Sequence, residues 1–316
     1  MSIITLTLNP CIDKSTSING LKPEHKLRCA APKFEPGGGG INVSRAIQQL
    51  GGVSEAIYMS GAHTGLFFES LMAAENITSH VVKIHGTTRE NFIVVDEATN
   101  LQYRFGMDGP SLLGTELNDC ISMLSAMKDI KYLVASGSIP SGVPNDFYAR
   151  VAVEAKRNNA RFVLDTSGEA LREAADEGVY LLKPNLSELS ALAGVSELAF
   201  DDVDDAALQL VADGKCEVVV VSLGAGGAML VAKNLVKHIA APPVKVRGTV
   251  GAGDSMVAGM VLSLQRGWGL ESVVRYGVAC GSAATMSAGT GLCQLDDVSR
   301  LYALIQKRMK NEGSMK

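Results

Sequence analysis

The 316-residue chain has no CxxC pair, no P-loop GK[ST], no dinucleotide fingerprint and no apolar run approaching the length of a membrane span. Six cysteines, Cys11, Cys29, Cys120, Cys216, Cys280 and Cys293, are scattered, several inside apolar runs such as Val278-Ala279-Cys280. Scatter of this kind fits free thiols in a reducing compartment and argues against a disulfide framework or a cysteine metal site. There is also no excess of positive charge: 29 Lys plus Arg stand against 33 Asp plus Glu, a net charge of −4. Such a balance offers no field for nucleic acid or an anionic membrane, so an anionic ligand must be held by a local pocket. The first residues, MSIITLTLNPCID, lack a basic flank and a small-residue cleavage site. A cytoplasmic protein is expected. Internal repeats, low-complexity tracts and charge blocks are missing as well, and the polar stretch from Lys307 to Lys316 is expected to fray.

What the chain does have is apolar material. With 47% hydrophobic and 20% charged residues it can bury a sizeable core, as one large α/β domain or two ordinary ones. Short β-branched or aliphatic runs predict buried parallel strands at Ile3 to Leu8, Tyr132 to Ser136, Arg161 to Asp165, Tyr180 to Lys183 and Val218 to Leu223. Helical patterns lie between them, at Ile41 to Leu50, Leu66 to Glu75, Glu116 to Met127, Asn145 to Asn158, Ser187 to Ala193, Val203 to Asp213 and Asp254 to Arg266. This alternation implies a parallel sheet covered on both faces. Two segments depart from it: Asp13 to Phe34, and the alternating pair Asn91 to Asp96 and Leu101 to Phe105 around the turn Glu97-Ala98-Thr99-Asn100. A small second sheet made from them would carry Phe92, Val94, Tyr103 and Phe105 on one face, which has to pack on the main body or on a second copy.

Three glycine-rich sites stand out. In Thr249-Val250-Gly251-Ala252-Gly253-Asp254, small residues precede a helical stretch, so loop amides would converge at a helix N-terminus able to bind phosphate. Asp254 then reads either as a general base taking a proton from an attacking hydroxyl or as a helix cap. The run Gly37-Gly38-Gly39-Gly40 opens another helix with Asn42 early in it, a backbone suited to close approach of a polyhydroxylated ligand. The third, Gly224-Ala225-Gly226-Gly227 after the run Val218 to Leu223, is either a hairpin turn or a nucleotide platform; Met229 stands where a dinucleotide motif needs glycine.

Taken in order, TLTLNPCID, KLRCAAPKFEPGGGGINVSRAI, SGSIPSGV, LDTSGEAL, KPNLSEL, VVVVSLGAGGA and TVGAGDSMVAGM resemble the ribokinase-like PfkB carbohydrate kinases, nearest to the minor, non-P-loop type of bacterial 6-phosphofructokinase. The resemblance covers nearly the whole chain. It implies one ribokinase-like domain over 1–316, a three-layer α/β/α sandwich around a mostly parallel sheet, with a β lid from insertions at about 13–34 and 88–106 that pairs with its equivalent in a homodimer. The implied activity is ATP-dependent phosphorylation of fructose 6-phosphate, a glycolytic step, with 1-phosphofructokinase, tagatose-6-phosphate kinase and an inactive sugar-phosphate sensor left open.

By the same resemblance Asp254 is the base, with Gly251, Ala252 and Gly253 forming the anion cradle. The sugar phosphate would meet Asp13, Gly38, Gly39, Asn42, Arg89, Arg104 and Ser138; taken alone, both arginines also fit solvated edge-strand charges. ATP would meet Lys183, Asn185, Ser222, Gly224, Gly227, Thr249 and Gly281, and Lys26 would reach nucleotide across the dimer. Mg²⁺ is implied at Glu188 and Asp165, and a monovalent cation, K⁺, is implied nearby. Gly248, Ser287 and Gly291 depart from the larger polar or basic residues expected at these places.

Overall fold

The protein, analysed as a computed structural model, is described over residues 2–287 and 289–313. Its strands are β1 (Ser2–Thr7), β2 (Cys11–Ile18), β3 (Lys33–Gly37), β4 (Glu55–Gly61), β5 (Thr78–Ile84), β6 (Arg89–Asp96), β7 (Leu101–Phe105), β8 (Ile130–Ser136), β9 (Arg161–Asp165), β10 (Val179–Leu182), β11 (Cys216–Ser222), β12 (Ala228–Ala232) and β13 (Leu235–Ile239). The helices are α1 (Gly39–Gln49), α2 (Ala62–Ala74), α3 (Gly114–Ala126), α4 (Phe147–Arg157), α5 (Gly168–Glu177), α6 (Leu186–Leu192), α7 (Val203–Ala212), α8 (Ala252–Gln265), α9 (Leu270–Thr285) and α10 (Leu295–Gly313).

Nine strands form the central sheet in the order β13-β12-β11-β10-β9-β8-β1-β4-β5, parallel except for the hairpin strands β12 and β13 at one edge. Alternate residues of each strand feed opposite layers. In β11, Val218 and Val220 join α1, α8, α9 and α10 on one face, while Val219 and Val221 join α3, α4, α5 and α7 on the other. This is the three-layer sandwich expected of the sequence. Helix α8 is buried from Ser255 to Leu264, so its N-terminus is held rigidly beside the C-terminal ends of the strands.

The strands β4, β5, β12 and β13 and the helices α5, α9 and α10 were not among the elements read from the sequence. Gly277 and Gly281 make α9 look helix-poor, yet both lie where α9 crosses α8 closely: a Cβ on Gly277 would meet the Met260 side chain, and one on Gly281 the Ala252 carbonyl. Tertiary packing overrides local propensity there. The expected fraying from Lys307 is corrected as well, since α10 continues to Gly313, and 314–316 lie outside the described residues.

The remaining four strands form a separate sheet, ordered β3-β2-β6-β7. Strands β2 and β3 start and end beyond the Asp13 to Phe34 segment, because β3 runs into the glycine loop and pairs Gly37 with Cys11. Register fixes the two faces of this sheet. Phe92 pairs with Phe105 and Val94 with Tyr103 on one, while Asp13 pairs with Asn91 and Ile93 with Arg104 on the other. Val94 is buried, but Tyr103 and Phe105 remain 38% and 48% exposed.

Candidate active site

Gly251 caps α8 in the left-handed region, at φ 70°, which suits a residue without a side chain, and a Cβ there would run into Leu292. The first α-helical bond runs from the Ser255 amide to the Gly251 carbonyl at 2.8 Å. The amides of Ala252, Gly253 and Asp254 precede the helical ladder, but that of Ala252 already donates to the Thr249 carbonyl at 3.4 Å, so the expected Gly251–Gly253 cradle is corrected at Ala252 and extended to the amide of Asp254. Asp254, in this first turn, is half-buried and held by two other elements. Its Oδ2 accepts from Asn42 Nδ2 of α1 at 2.9 Å, and its Oδ1 accepts from the Ser136 hydroxyl at the end of β8 at 3.2 Å. Burial, reinforced by the charge of Asp165, pushes its pKa up to about 6 against the pull of Asn42, Lys183 and Ser136.

Beneath Gly253 lies an ion pair. Lys183, just after β10, places Nζ 3.1 Å from Asp165 Oδ1 at the end of β9. Burial works against the lysine charge, yet Asp165, helped by Glu188 and Asp254, holds the ammonium above its ordinary range. Asn185 and Glu188 form a reciprocal cap at the start of α6: Asn185 Oδ1 accepts from the Glu188 amide at 2.9 Å and Glu188 Oε2 from the Asn185 amide at 2.8 Å. One carboxylate oxygen of Glu188 is thus engaged in folding α6, leaving Oε1 for a ligand. Burial and the neighbouring Asp165 raise the Glu188 pKa despite that amide and Lys183.

Along the other side of the α8 N-terminus runs a cavity of about 720 Å³, on the scale of a nucleotide site. Ser222, Gly224, Gly227, Thr249 and Gly281 all line it, together with Ala252 and Gly253. Its apolar wall, Ala241 to Val244, carried no signal in the sequence beyond a proline pair. Gly224 to Gly227 satisfies both readings given above: it is the tight turn between antiparallel β11 and β12, and it lines the cavity. Asn185 bridges to Ser222 at the end of β11, outside the lining. Lys26 sits on the exposed loop between β2 and β3, apart from the cavity residues of its own chain.

The inner face of the small sheet borders the same strand ends. Asp13, buried, accepts from Asn91 Nδ2 at 3.0 Å and the Cys11 thiol at 3.3 Å, and burial raises its pKa against both. Arg89 donates to the Asn9 and Met107 carbonyls, each at 3.0 Å. Asn9 Nδ2 in turn donates to the exposed Ser138 at 3.3 Å. Arg104 is exposed on β7, on the same sheet face as Asp13. The glycine run wedges between these parts: Cβ atoms on Gly37, Gly38 and Gly39 would strike Asp13, Thr7 and Ser136 in turn. Three buried polar atoms, Thr7 Oγ1, Asn9 Oδ1 and Arg89 Nε, lack a partner among the described residues, so this corner carries unused hydrogen-bonding capacity.

The fold thus gathers Asp13, Gly38, Gly39, Asn42, Ser136, Asp165, Lys183 and Asp254 at one end of the central sheet. Sequence reasoning missed Asn9, Asn91 and Ser136. Ser136 had one usable signal, its place two residues before Ser138 in the quoted SGSIPSGV stretch. A further tie, unread in sequence, is Glu35: its carboxylate accepts from Thr290 at 2.6 Å and Arg45 at 3.1 Å, linking β3 to the loop after α9.

The profile of pfkB family carbohydrate kinases matches residues 2–297. ATP-dependent 6-phosphofructokinase isozyme 2 of Escherichia coli (strain K12) is 45% identical over 306 residues, 96% of this chain and 99% of that protein. The isozyme 2 enzyme of Mycobacterium tuberculosis is 42% identical over 303 residues, 96% of this chain and 89% of that one. Among solved structures, phosphofructokinase-2 from Escherichia coli superposes with a TM-score of 0.93 in its complex with potassium, at 45% identity over 96% of this chain and 99% of that chain. Its complex with fructose-6-phosphate gives 0.91 at 43% identity and the same coverage. A phosphate-ready helix start, a carboxylate at its mouth, a nucleotide-sized cavity and these relatives converge: the chain belongs to the pfkB family of carbohydrate kinases.

Proposed function

We propose that this chain is an ATP-dependent 6-phosphofructokinase that transfers the γ-phosphoryl group of ATP to the free primary hydroxyl of fructose 6-phosphate, giving fructose 1,6-bisphosphate. The observation that carries the reading is the position of Asp254, tethered through Asn42 to the helix that follows the glycine run, while the two residues just before it line the nucleotide-sized cavity. The carboxylate removes the hydroxyl proton as the oxygen attacks phosphorus, and the free amides of Gly253 and Asp254 with the Lys183 ammonium stabilise the developing charge. Asp13, Gly38, Gly39 and Asn42 orient the sugar, while Arg89, Arg104 and Ser138 receive its phosphate. A neutral sugar would leave the arginine charges uncompensated.

Glu188 and Asp165 suit Mg²⁺, which is commonly held by one or two carboxylates together with nucleotide phosphates and water. The metal would supply charge neutralisation on those phosphates. Gly248 faces the carbonyls of Ser287 and Gly289, oxygens of the kind that bind K⁺. The small sheet acts as a lid of one single-domain chain, and its apolar face, with exposed Tyr103 and Phe105, pairs with a second copy; Lys26 on the adjoining loop reaches the nucleotide of that copy. No helix among the described residues is long and apolar enough to cross a membrane. We place the enzyme in the cytoplasm.

ADP release measured with fructose 6-phosphate, fructose 1-phosphate, tagatose 6-phosphate and fructose tests the reading. A kcat/KM for fructose 6-phosphate at least tenfold above the rest is expected. Preference for fructose 1-phosphate or tagatose 6-phosphate would replace the substrate, and ligand binding without turnover would make the protein a sensor.

A further inference from the structure

Ser136 has no role in the binding scheme above, yet it is among the most enclosed polar groups near the base. It ends β8, a central strand, and is 2% exposed. Its hydroxyl donates to Asp254 Oδ1, while Oδ2 accepts from Asn42, so the two oxygens are anchored by different parts of the fold. The anchors are unequal. Asn42 rides on α1, directly after the glycine run that the sugar approaches, whereas Ser136 is fixed in the sheet. Gly39 adds a second observation, since a Cβ there would collide with the Ser136 hydroxyl and with the backbone of Ser136 and Gly137. A glycine at 39 is therefore what lets α1 approach closely enough for both donors to reach one carboxylate.

We propose that Ser136 is a positioning residue for the base: its hydroxyl clamps Asp254 Oδ1 to the sheet and thereby aims Oδ2, on the sugar-loop side, at the incoming hydroxyl. Each carboxylate oxygen keeps a second lone pair, so Oδ2 takes the substrate proton while Oδ1 stays bound to the serine. The Ser136 hydrogen bond also favours the ionised carboxylate, opposing the burial that raises its pKa. The inference rests on Asp254 being the base.

The test is Ser136→Ala, with Ser136→Cys as a weaker donor of similar size, each assayed for kcat, KM and the pH dependence of kcat/KM. Loss of a hydrogen bond to a charged group predicts a fall of roughly tenfold in kcat for Ser136→Ala, with both KM values within about twofold. The acid limb of its profile moves to higher pH, because the bond that favours ionisation is gone, and Ser136→Cys falls between the two. Thermal melting identifies any variant that is not folded, and if Ser136→Ala is not, the cysteine variant carries the comparison. An unmoved acid limb with kcat within twofold of the parent overturns the inference, as does a loss confined to the sugar-phosphate KM, which would make Ser136 a substrate contact. Asp254→Asn separates the two levels: full activity in that variant removes the base itself, whereas an inactive Asp254→Asn beside an unaltered Ser136→Ala removes only the positioning role.

Discussion

The two walls of the cleft are built on opposite plans. At the wall carrying Asp254, the carboxylate, Lys183 and Asp165 already have partners supplied by α1, β8, β9 and β10. At the small-sheet wall, Arg104 is exposed, Tyr103 and Phe105 face outward, and Arg89 Nε and Asn9 Oδ1 lack partners among the described residues. Under the proposed function, the first wall would be preorganised for charge that appears only during reaction, and the second left open for groups that arrive with substrate or with a second copy. Rigid electrostatics suits chemistry, and unfilled polar capacity suits binding.

That contrast can be broken most severely at Asp254. Asp254→Asn should lower kcat by about 10²–10⁴ while nucleotide affinity, measured by calorimetry, stays near that of the parent. Stability should move the other way. Because burial lifts the folded-state pKa to about 6 from an ordinary 3.8, the folded protein holds this proton more tightly than the unfolded chain. Ionisation therefore costs stability progressively as pH rises from about 4 to 6, and the full cost persists above that. At pH 8 the asparagine variant should be more stable by about 1–2 kcal/mol in denaturant titration, and an unchanged or lower stability would contradict a strained carboxylate.

Next in size come the arginines, where Arg104→Ala and Arg89→Ala should each raise the sugar-phosphate KM by about 10- to 100-fold with modest changes in kcat. Only Arg89→Ala should also lower the melting temperature, since Arg89 ties the Asn9 and Met107 carbonyls together. Equal melting temperatures would mean that the small-sheet wall is no less open at Arg89 than at Arg104. The parent enzyme sharpens the comparison through pH alone: kcat/KM should rise as pH passes about 6, where Asp254 loses its proton. A profile flat from pH 5 to 8 would detach the activity from that carboxylate.

Smaller effects are expected at the edges of the small sheet. Tyr103→Asp with Phe105→Asp should yield monomers by light scattering at micromolar protein concentration, without unfolding either wall, because both side chains are exposed within the chain. A dimer that survives both changes would put the contact elsewhere. Thr290→Val, which removes the 2.6 Å bond to Glu35, should cost about 1–2 kcal/mol, read from denaturant unfolding.

Much of this was legible from sequence because local signals agreed with the fold. β-branched or aliphatic runs marked β1, β8, β9, β10 and β11, and small residues before an apolar helix marked the start of α8. Asp254 stood out as a carboxylate beside an anion-binding helix start, although only the family resemblance chose base over helix cap. Ser136 did not stand out, since a serine at a strand end is ordinary until its distance to Asp254 is known. The same holds for Asn9, whose orphaned oxygen appears only once Gly109 packs against it. Glu188 shows the two levels overlapping, as its spacing from Asn185 signals a helix cap and the fold alone sets it beside Asp165 and Lys183.

The sequence by itself determined the alternation of strands and helices, the glycine-lined turns and the kinds of side chain available at each. Only the tertiary structure decided that residues 42, 136, 165, 183 and 254 meet. Hydrophobic periodicity is a local property that selects elements, whereas strand order sets which C-terminal ends become neighbours. In the nine-stranded sheet that order places β8, β9 and β10 side by side, which no local pattern encodes.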